Sequence, residues 1–399
     1  MSSLTQHSWQ EIVFDQIVKD SAFGPRFPGT AYADDGNIAT LRTTDISADG
    51  HISYDTMPLA QLDEAAFANH FLKPGDLVIT RSGRIGTTAI FEGHDKLVLP
   101  GAFLIRFRLS EEANPRFFCY WFNSALGQQR LLSVARGAAQ QNINITNVKT
   151  LKVPLPPLQG QESIVSILSA YDDLIENNRR RIHLLEQAAR LLYKEWFVHL
   201  RFPGHEHTQI IDGVPEGWEK KPLSEIADIT MGQSPKSIYY NEEGNGLPFH
   251  QGVTNFGARF PSHETYCNVQ SRIAEPGDIL FSVRAPVGRI NITPDKIVIG
   301  RGLSAIRSIR DQQNYLFYAL KSHFFKEDMI GGGAIFAAIT KKDLYGVELM
   351  QPTGRIAVMF TGHVLPIDLQ IANLQQTIDR LVKARDLLLP KLMNGEVAV

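Results

Sequence analysis

PLPPLQGQESIVSILSAYDDLIENNRRRIHLLEQAARLLYKEWFVHLRFPG, residues Pro154 to Gly204, decides how the chain is organised. From Ile164 the apolar residues recur at alternating steps of four and three: Ile164, Leu168, Tyr171 and Ile175, then Ile182, Leu185, Ala189, Leu192 and Trp196. Only Asn178 interrupts them. This is the seam of a helix that packs on another helix. Pro156 and Pro157 suit a first turn, where no amide partner is lost, and Pro203-Gly204 cannot extend a helix. At 1.5 Å per residue, roughly 40 residues make a rod of about 60 Å, too long to be buried in one flanking domain. The rod therefore joins two domains, and its seam needs a partner.

The partner lies near the C-terminus, where Val364, Ile367, Ile371, Leu374, Ile378 and Leu381 keep the four-three spacing, Arg385 breaks it and Leu388 resumes it. Pro366 is expected to kink this second helix or to mark a restart. Pro390 and Gly395 are expected to end it. Asn178, a polar residue in the seam, reads as a register device rather than a ligand.

The duplication extends beyond the helices. KPGDLVITRSGRIG (Lys73 to Gly86) matches EPGDILFSVRAPVG (Glu275 to Gly288), each a Pro-Gly-Asp turn feeding an apolar strand that ends in a basic loop and glycine. LVLPGAFLIRF (Leu97 to Phe107) parallels IVIGRGLSAIR (Ile297 to Arg307), and GAAQQNIN (Gly137 to Asn144) parallels GAIFAAIT (Gly333 to Thr340). Helical stretches follow at Pro115 to Leu132 and Asp311 to Lys326, then short strands at Leu151 to Pro154 and Val347 to Met350. The expected class is α+β, with a globular α/β domain and then a long helix, twice over. The boundaries read as a first domain over 1–153, the central helix as a spacer over 154–204, a second domain over 205–352 and the distal helix over 353–399. A direct repeat with its two helices packed antiparallel has approximate two-fold symmetry within one chain.

No run approaches 18 uninterrupted apolar residues and the N-terminus lacks a basic-then-apolar signal pattern, so the expectation is a cytoplasmic protein without a membrane partner. Cys119 and Cys267 are the only cysteines of 399 residues, which excludes a disulfide framework and a cysteine-rich zinc site. Both are expected to be buried thiols. The formal charge of −2 argues against gripping nucleic acid by bulk electrostatics and leaves local patches or a basic partner.

PLPPLQGQ (Pro154 to Gln161), ARLLYKEWFVHLRFPG (Ala189 to Gly204) and RDLLLPKLMNGEV (Arg385 to Val397) resemble the central and distal repeat regions of the specificity subunits of Type I restriction–modification systems. GVPEGWEKKPLSEIADI (Gly213 to Ile229), SPKSIYYNEEGNGLPFHQG (Ser234 to Gly252) and DILFSVRAPVG (Asp278 to Gly288) resemble its second target recognition domain. The resemblance covers nearly the whole chain. Two departures stand out: the first half has no segment comparable to SPxSxxY, and the distal region has PTGR where the central one has PPLQGQ. The resemblance implies two target recognition domains joined by two long antiparallel coiled-coil helices, pseudo-two-fold symmetric, each domain binding one half of a split target in double-stranded DNA. It also implies a subunit without catalysis or cofactor of its own. Two modification (methyltransferase) subunits carrying S-adenosylmethionine would dock on the helices, and restriction/translocase subunits would join for cleavage.

Base reading in the major groove needs forked or amide donors, Arg for guanine and Asn or Gln for adenine. The candidates are Arg81, Arg84, Arg284 and Arg289, which follow the strand after each Pro-Gly-Asp turn, the amides Gln140, Gln141 and Asn142, and Tyr239, Tyr240 and Asn241. Taken singly, each reads better as a solvated loop residue, because phosphate positioning and plain solubility use the same residue types. Arg179, Arg180 and Arg181 read equally as contacts to phosphates between half-sites or as an exposed charged helix face, and the trio Tyr193, Trp196 and Phe197 as core packing or a docking surface. A self-sufficient methyltransferase is rejected, because Asn114-Pro115-Arg116-Phe117 lacks the second proline of its catalytic segment. A nucleotide-driven motor is rejected because GxxxxGK[ST] is absent. Asp76 with Glu92, or Asp278 with Asp295, lack the Glu-x-Lys companion of a nuclease core. A DNA-independent coiled-coil scaffold is the remaining alternative.

Overall fold

The four residues Leu77–Thr80 are buried to the last atom because the strand they form has apolar layers on both faces, and the rest of the first unit is arranged about it. A computed structural model describes residues 9–135, 142–324 and 338–397. The chain divides into two compact units, Met1–Asn178 with Gln376–Val399, and Arg179–Gln375.

In the first unit the order is β1 (Gln10–Val13), a 3-10 turn at Phe14–Ile17, β2 (Val18–Phe23), β3 (Ile38–Leu41), β4 (Leu59–Ala60), one turn of helix α1 (Glu64–Phe67), β5 (Leu77–Thr80), β6 (Thr88–Ile90), β7 (Val98–Pro100), β8 (Leu104–Leu109), α2 (Pro115–Asn123), α3 (Ala125–Ser133), α4 (Ile145–Lys149), β9 (Lys152–Leu155) and the long helix α5 (Leu158–Tyr193). The main sheet is antiparallel with order β2-β8-β5-β6. A small sheet, β4-β3-β7, pairs β3 and β7 in parallel, and β1 pairs with β9. Leu77 and Ile79 join Phe107, Phe117, Trp121, Ile164 and Leu168 in one apolar cluster, to which Leu392 and Met393 also belong. Val78 and Leu104 face the other way, onto Leu41, Ile46 and Phe91.

The second unit continues with β10 (Ile210–Ile211), β11 (Val214–Pro215), β12 (Glu219–Pro222), α6 (Leu223–Ile226), β13 (Ala227–Met231), β14 (Tyr240–Asn241), β15 (Leu247–His250), β16 (Tyr266–Cys267), β17 (Ile273–Ala274), β18 (Ile279–Ser282), β19 (Ile290–Ile292), β20 (Ile297–Ile299), β21 (Leu303–Ser308), α7 (Gln313–Phe324), α8 (Lys341–Tyr345), β22 (Glu348–Gln351) and the long helix α9 (Gly354–Met393). Its main sheet, β13-β21-β18-β19, has the topology of the first, and β15 pairs with β20 in parallel as β3 does with β7. The small sheet is larger here, β14-β16-β15-β20-β17.

The Pro-Gly-Asp turns owe their shape to the aspartate. Asp76 accepts from the Lys73 amide at 2.8 Å and pairs with Arg108 at 2.8 Å. Asp278 accepts from the Glu275 amide at 2.8 Å and pairs with Arg307 at 2.6 Å. Buried carboxylates are stable only when so occupied, which removes these two from any nuclease role. Asn114 of the methylase-like string caps α2 instead, accepting from Arg116 and Phe117, with Pro115 in the first turn. Gln161 of PPLQGQ is fully buried, donates to the carbonyls of Glu112 and Pro156, and accepts from the Asn114 amide at 2.7 Å.

Two expectations are corrected. Pro366 and Pro390 neither restart nor end α9, which runs through both to Met393, while Gly395 supplies the positive φ that closes it. The residues four before them, Gly362 and Asp386, are exposed, which leaves each proline on a stretch of helix that water reaches. The first half also does contain a counterpart of the SPxSxxY segment. A 3-10 turn at Gly29–Ala31 leads into Tyr32, bridged to Ala60 of β4, as the turn Ser237–Tyr239 leads into Tyr240, paired with Cys267 of β16.

Each unit ties a tyrosine of its α2 or α7 helix to an aspartate on a long helix: Tyr120 to Asp172 of α5, and Tyr318 to Asp368 of α9 at 2.7 Å. In the first unit Arg385 of α9 completes the cluster at 2.8 Å from Asp172. In the second the cation is Arg259, which is 3% exposed and bonds Asp368 and Glu186 while lying 4.6 Å over the Phe317 ring. Burial opposes its charge, but Tyr318, Asp368 and Glu186 outweigh that and hold it protonated. Asp368→Ala should therefore cost about 1–3 kcal/mol in chemical denaturation, because Tyr318 and Asn314 lose their acceptor and Arg259 is left with Glu186 as its one carboxylate. The double change Asp368→Leu with Arg259→Met should recover only the share of that loss that falls on Arg259.

Candidate nucleic-acid interface

Thr80 and Ser282 close the main-sheet strands, and the turns that follow are built alike. The Gly86 amide donates to the Thr80 carbonyl at 2.9 Å and the Gly288 amide to the Ser282 carbonyl at 3.0 Å. The Thr80 hydroxyl bonds the Arg84 carbonyl, and the Ser282 hydroxyl the Pro286 carbonyl. The amide of Arg81 donates to Phe103 and that of Val283 to Gly302, while the amides of Ile143 and Ile339 return to the carbonyls of Arg81 and Val283. Three backbone segments thus converge at one end of each main sheet, with their polar groups satisfied by one another.

This frame fixes which residues correspond. Arg84 stands where the second unit has Pro286, Arg284 where the first has Ser82, Arg289 where the first has Thr87, and Arg81 where the second has Val283. The two sets of arginines are not positional equivalents. Arg84, Arg284 and Arg289 are exposed and have no acidic partner among the described residues. Arg81 is half-buried, with its guanidinium 4.6 Å over the Phe23 ring and its Nε without a partner among the described residues. Asn142 is half-buried beside Ile143, and its buried Oδ1 has no partner among the described residues. Gln140 and Gln141 lie outside the described residues.

The second segment divides in the same way. Tyr239 is exposed. Tyr240 donates to the Pro235 carbonyl at 2.8 Å and stacks on Phe249 at 4.4 Å, and Asn241 clasps Asn245 through both its carbonyl and amide. The last two are spent on the shape of the loop. Sequence reasoning passed over two exposed side chains of the turns before β8 and β21, Phe103 and Arg301. The glycines beside them, Gly101 and Gly300, were the available signal.

On the long helices the seam residues Ile164, Leu168, Ile175, Asn178, Ile182 and Ala189 of α5 are buried, as are Ile371, Leu374 and Ile378 of α9. Tyr171, Leu185, Leu192 and Leu381 are half-buried. Tyr193, Trp196 and Phe197 are core: Phe197 lies 4.9 Å from Tyr315 and 5.0 Å from Phe360. Both cysteines are buried and free, and burial pushes the Cys119 thiol up to about 12.

The described structure is a mixed α/β unit built twice on one topology, each copy with exposed arginine on the turn that follows a main-sheet strand, and its class is that of modular DNA-specificity proteins by the family it matches. Residues 9–187 and 215–380 both match the Type I restriction modification DNA specificity domain, and the chain belongs to that family as a specificity subunit. It is 34% identical over 345 residues to the putative type I restriction enzyme MjaX specificity subunit of Methanocaldococcus jannaschii, covering 83% of this chain and 80% of that one. It is 27% identical over 300 residues to the MjaIX specificity subunit of the same organism, covering 71% and 69%. The crystal structure of a Type I S subunit from M. genitalium shares the fold with a TM-score of 0.60 over 98% of both chains at 17% identity. Among the described residues no helix is long and apolar enough to cross a membrane.

Beneath the second turn, His250 is 4% exposed, its carbonyl accepts the Gly300 amide, and its Nε2 lies 2.8 Å from Nδ1 of His263, whose Nε2 lies 3.2 Å from Asp295. Burial, and then the charge of His263, pull the His250 imidazole down to about 4 from its ordinary 6.5. The unfolded chain then takes up the proton first as pH falls. The stabilisation is complete above 6.5 and is lost progressively toward 4, on the order of 3 kcal/mol in all. Denaturation midpoints recorded across this window should show that slope, and His250→Leu should flatten it.

Proposed function

We propose that the chain is the non-catalytic DNA-reading subunit of a Type I complex. Each unit addresses one half of a bipartite target through the turns at the end of its main sheet. The observation that carries this is the pair of equal backbone frames holding unequal side chains: Arg84 in one, Arg284 and Arg289 in the other. Equal frames with different donors are what two different half-sites require. A DNA-independent scaffold has no use for unpaired guanidiniums collected on such turns.

In this reading α5 and α9 pair in opposite directions and set the separation of the half-sites. Supporting that, Asp172 of α5 meets Arg385 late in α9, while Trp196, just past α5, packs 5.9 Å from Phe360, early in α9. Domain limits at 1–153, 154–204, 205–352 and 353–399 follow the same scheme. Leu184 and Leu191 of α5 with Val358 and Leu369 of α9 are more than half exposed and offer apolar surface for two methyltransferase subunits. Those subunits supply S-adenosylmethionine, restriction subunits join them, and the complex works in the cytoplasm.

Methylome sequencing of a host carrying this chain with its methyltransferase partner should return a split motif. The purified complex should shift that duplex with a steep loss at higher salt, and a salt-independent result would favour the scaffold. Four residues inserted after Asn178 should lengthen the gap in the motif without altering the bases read. Arg284→Ala should cost about 1–3 kcal/mol at one base pair of one half-site.

A further inference from the structure

The turns Gly101–Phe103 and Gly300–Gly302, which lead into β8 and β21, lie against the arginine turns in both units. Each is pinned. In the first, the Gly101 amide donates to Leu41 at 2.8 Å, the Leu104 amide to Gly101 at 2.9 Å, and the Phe103 carbonyl accepts from Arg81 at 2.9 Å. In the second, the Gly300 amide donates to His250 at 2.8 Å, the Leu303 amide to Gly300 at 3.0 Å, and the Gly302 carbonyl accepts from Val283 at 2.9 Å. The close fit is enforced from below in both units: a Cβ on Gly24 would stand 2.0 Å from the Gly101 carbonyl oxygen, and one on Gly232 2.1 Å from that of Gly300.

What the two turns display is different. Phe103 is 59% exposed, the most exposed aromatic side chain among the described residues, one hydrogen bond away from the arginine turn. At the matching position the second unit has Gly302, where a Cβ would lie 2.5 Å from the Gln251 carbonyl oxygen. No side chain fits there, and the exposed residue is its neighbour Arg301, which has no acidic partner among the described residues. At Phe103 a pinned backbone and a side chain with two rotatable bonds lose little freedom on contact, whereas at Arg301 only the backbone is pinned.

We infer that these turns are a second base-reading element, in which Phe103 packs on the methyl group of a thymine and Arg301 forks onto a guanine edge. The inference rests on the DNA reading proposed above. Phenylalanine has nothing to offer a phosphate, and the apolar group that the major groove presents is the thymine methyl. Arg301 stands beside Arg284 and Arg289 on converging segments, where a guanidinium is matched by the two acceptors of guanine.

The test uses the chain assembled with its methyltransferase partner and the duplex that its methylome defines. Deoxyuridine replaces thymine, one position at a time, in the half-site that changes when residues 10–150 are exchanged. At one position the wild-type complex should bind about fourfold more weakly, the effect of one lost methyl contact. Phe103→Ala should be insensitive to that replacement and Phe103→Leu should keep part of the sensitivity. In the other half-site 7-deazaguanine should weaken the wild type at one guanine and leave Arg301→Ala unaffected. If the complex reads a split motif but deoxyuridine has no effect, if Phe103→Ala remains as sensitive as the wild type, or if the first half-site contains no thymine, the inference on Phe103 is wrong while the DNA reading stands. A second half-site without guanine, or an Arg301→Ala complex as sensitive to 7-deazaguanine as the wild type, overturns the Arg301 arm in the same way. Absence of any split motif removes the DNA reading itself.

Discussion

An aspartate on a long helix, bonded by a tyrosine hydroxyl from the globular part, is the contact on which each unit depends. Asp172 with Tyr120 and Asp368 with Tyr318 occupy the same place in the two topologies. A carboxylate withdrawn from water needs a cation, and the units recruit it differently. The first uses Arg385 of α9. The second uses Arg259 from the loop between β15 and β16, which at once holds Glu186 of α5 and Asp368 of α9. Glu186 shows the balance: burial raises its carboxyl, yet Lys321 and Arg259 outweigh burial and the net shift is downward. A module fastened by directional bonds keeps its orientation on the helix, which a purely apolar contact would leave free to slide. If the turns read bases as proposed, they need such fastening, since a recognition site must hold its geometry to about 0.5 Å.

The frame and the readout are physically separable. The two turns share the hydroxyl of Thr80 or Ser282, the positive-φ glycine at 86 or 288, and the buried, arginine-paired aspartate of the Pro-Gly-Asp turn. All of these engage backbone or buried groups. None constrains what projects outward, so Arg84 can face Pro286 across the repeat and Phe103 can face Gly302 without cost to the frame. This explains how one topology can serve two chemically distinct surfaces.

Sequence periodicity made the long helices legible, because a seam is a one-dimensional pattern and its burial follows directly. The duplicated Pro-Gly-Asp strands were legible for the same reason: their local chemistry carries the turn. Within the loops the ungapped matches already set Arg84 against Pro286 and Ile143 against Ile339, whereas the match of 97–107 to 297–307 sets Phe103 against Leu303, one residue away from the Phe103–Gly302 correspondence that the amides of Arg81 and Val283 fix. Propensity did not foresee that α9 continues through Pro366 and Pro390, where the residues one turn before, Gly362 and Asp386, are exposed and water can take the lost hydrogen bonds. The counterpart of the SPxSxxY segment was hidden because its shape rests on a 3-10 turn and one bridge rather than on shared side chains.

The formal charge of −2 is a poor guide to how this chain meets a polyanion. Many of its cations are already spent: Arg106 and Arg108 on Asp20 and Asp76, Arg116 on Glu92, Arg130 on Glu11, Arg307 on Asp278. Those pairs cancel in any count and contribute little field at a distance. Arg84, Arg284, Arg289 and Arg301 are exposed on the converging turns without an acidic partner among the described residues. A local field therefore exists where the sum is near zero. In the DNA reading proposed above, a few forked side chains on pinned turns suit base edges better than undifferentiated phosphate. On that proposal affinity comes largely from whatever binds alongside, and discrimination from this chain.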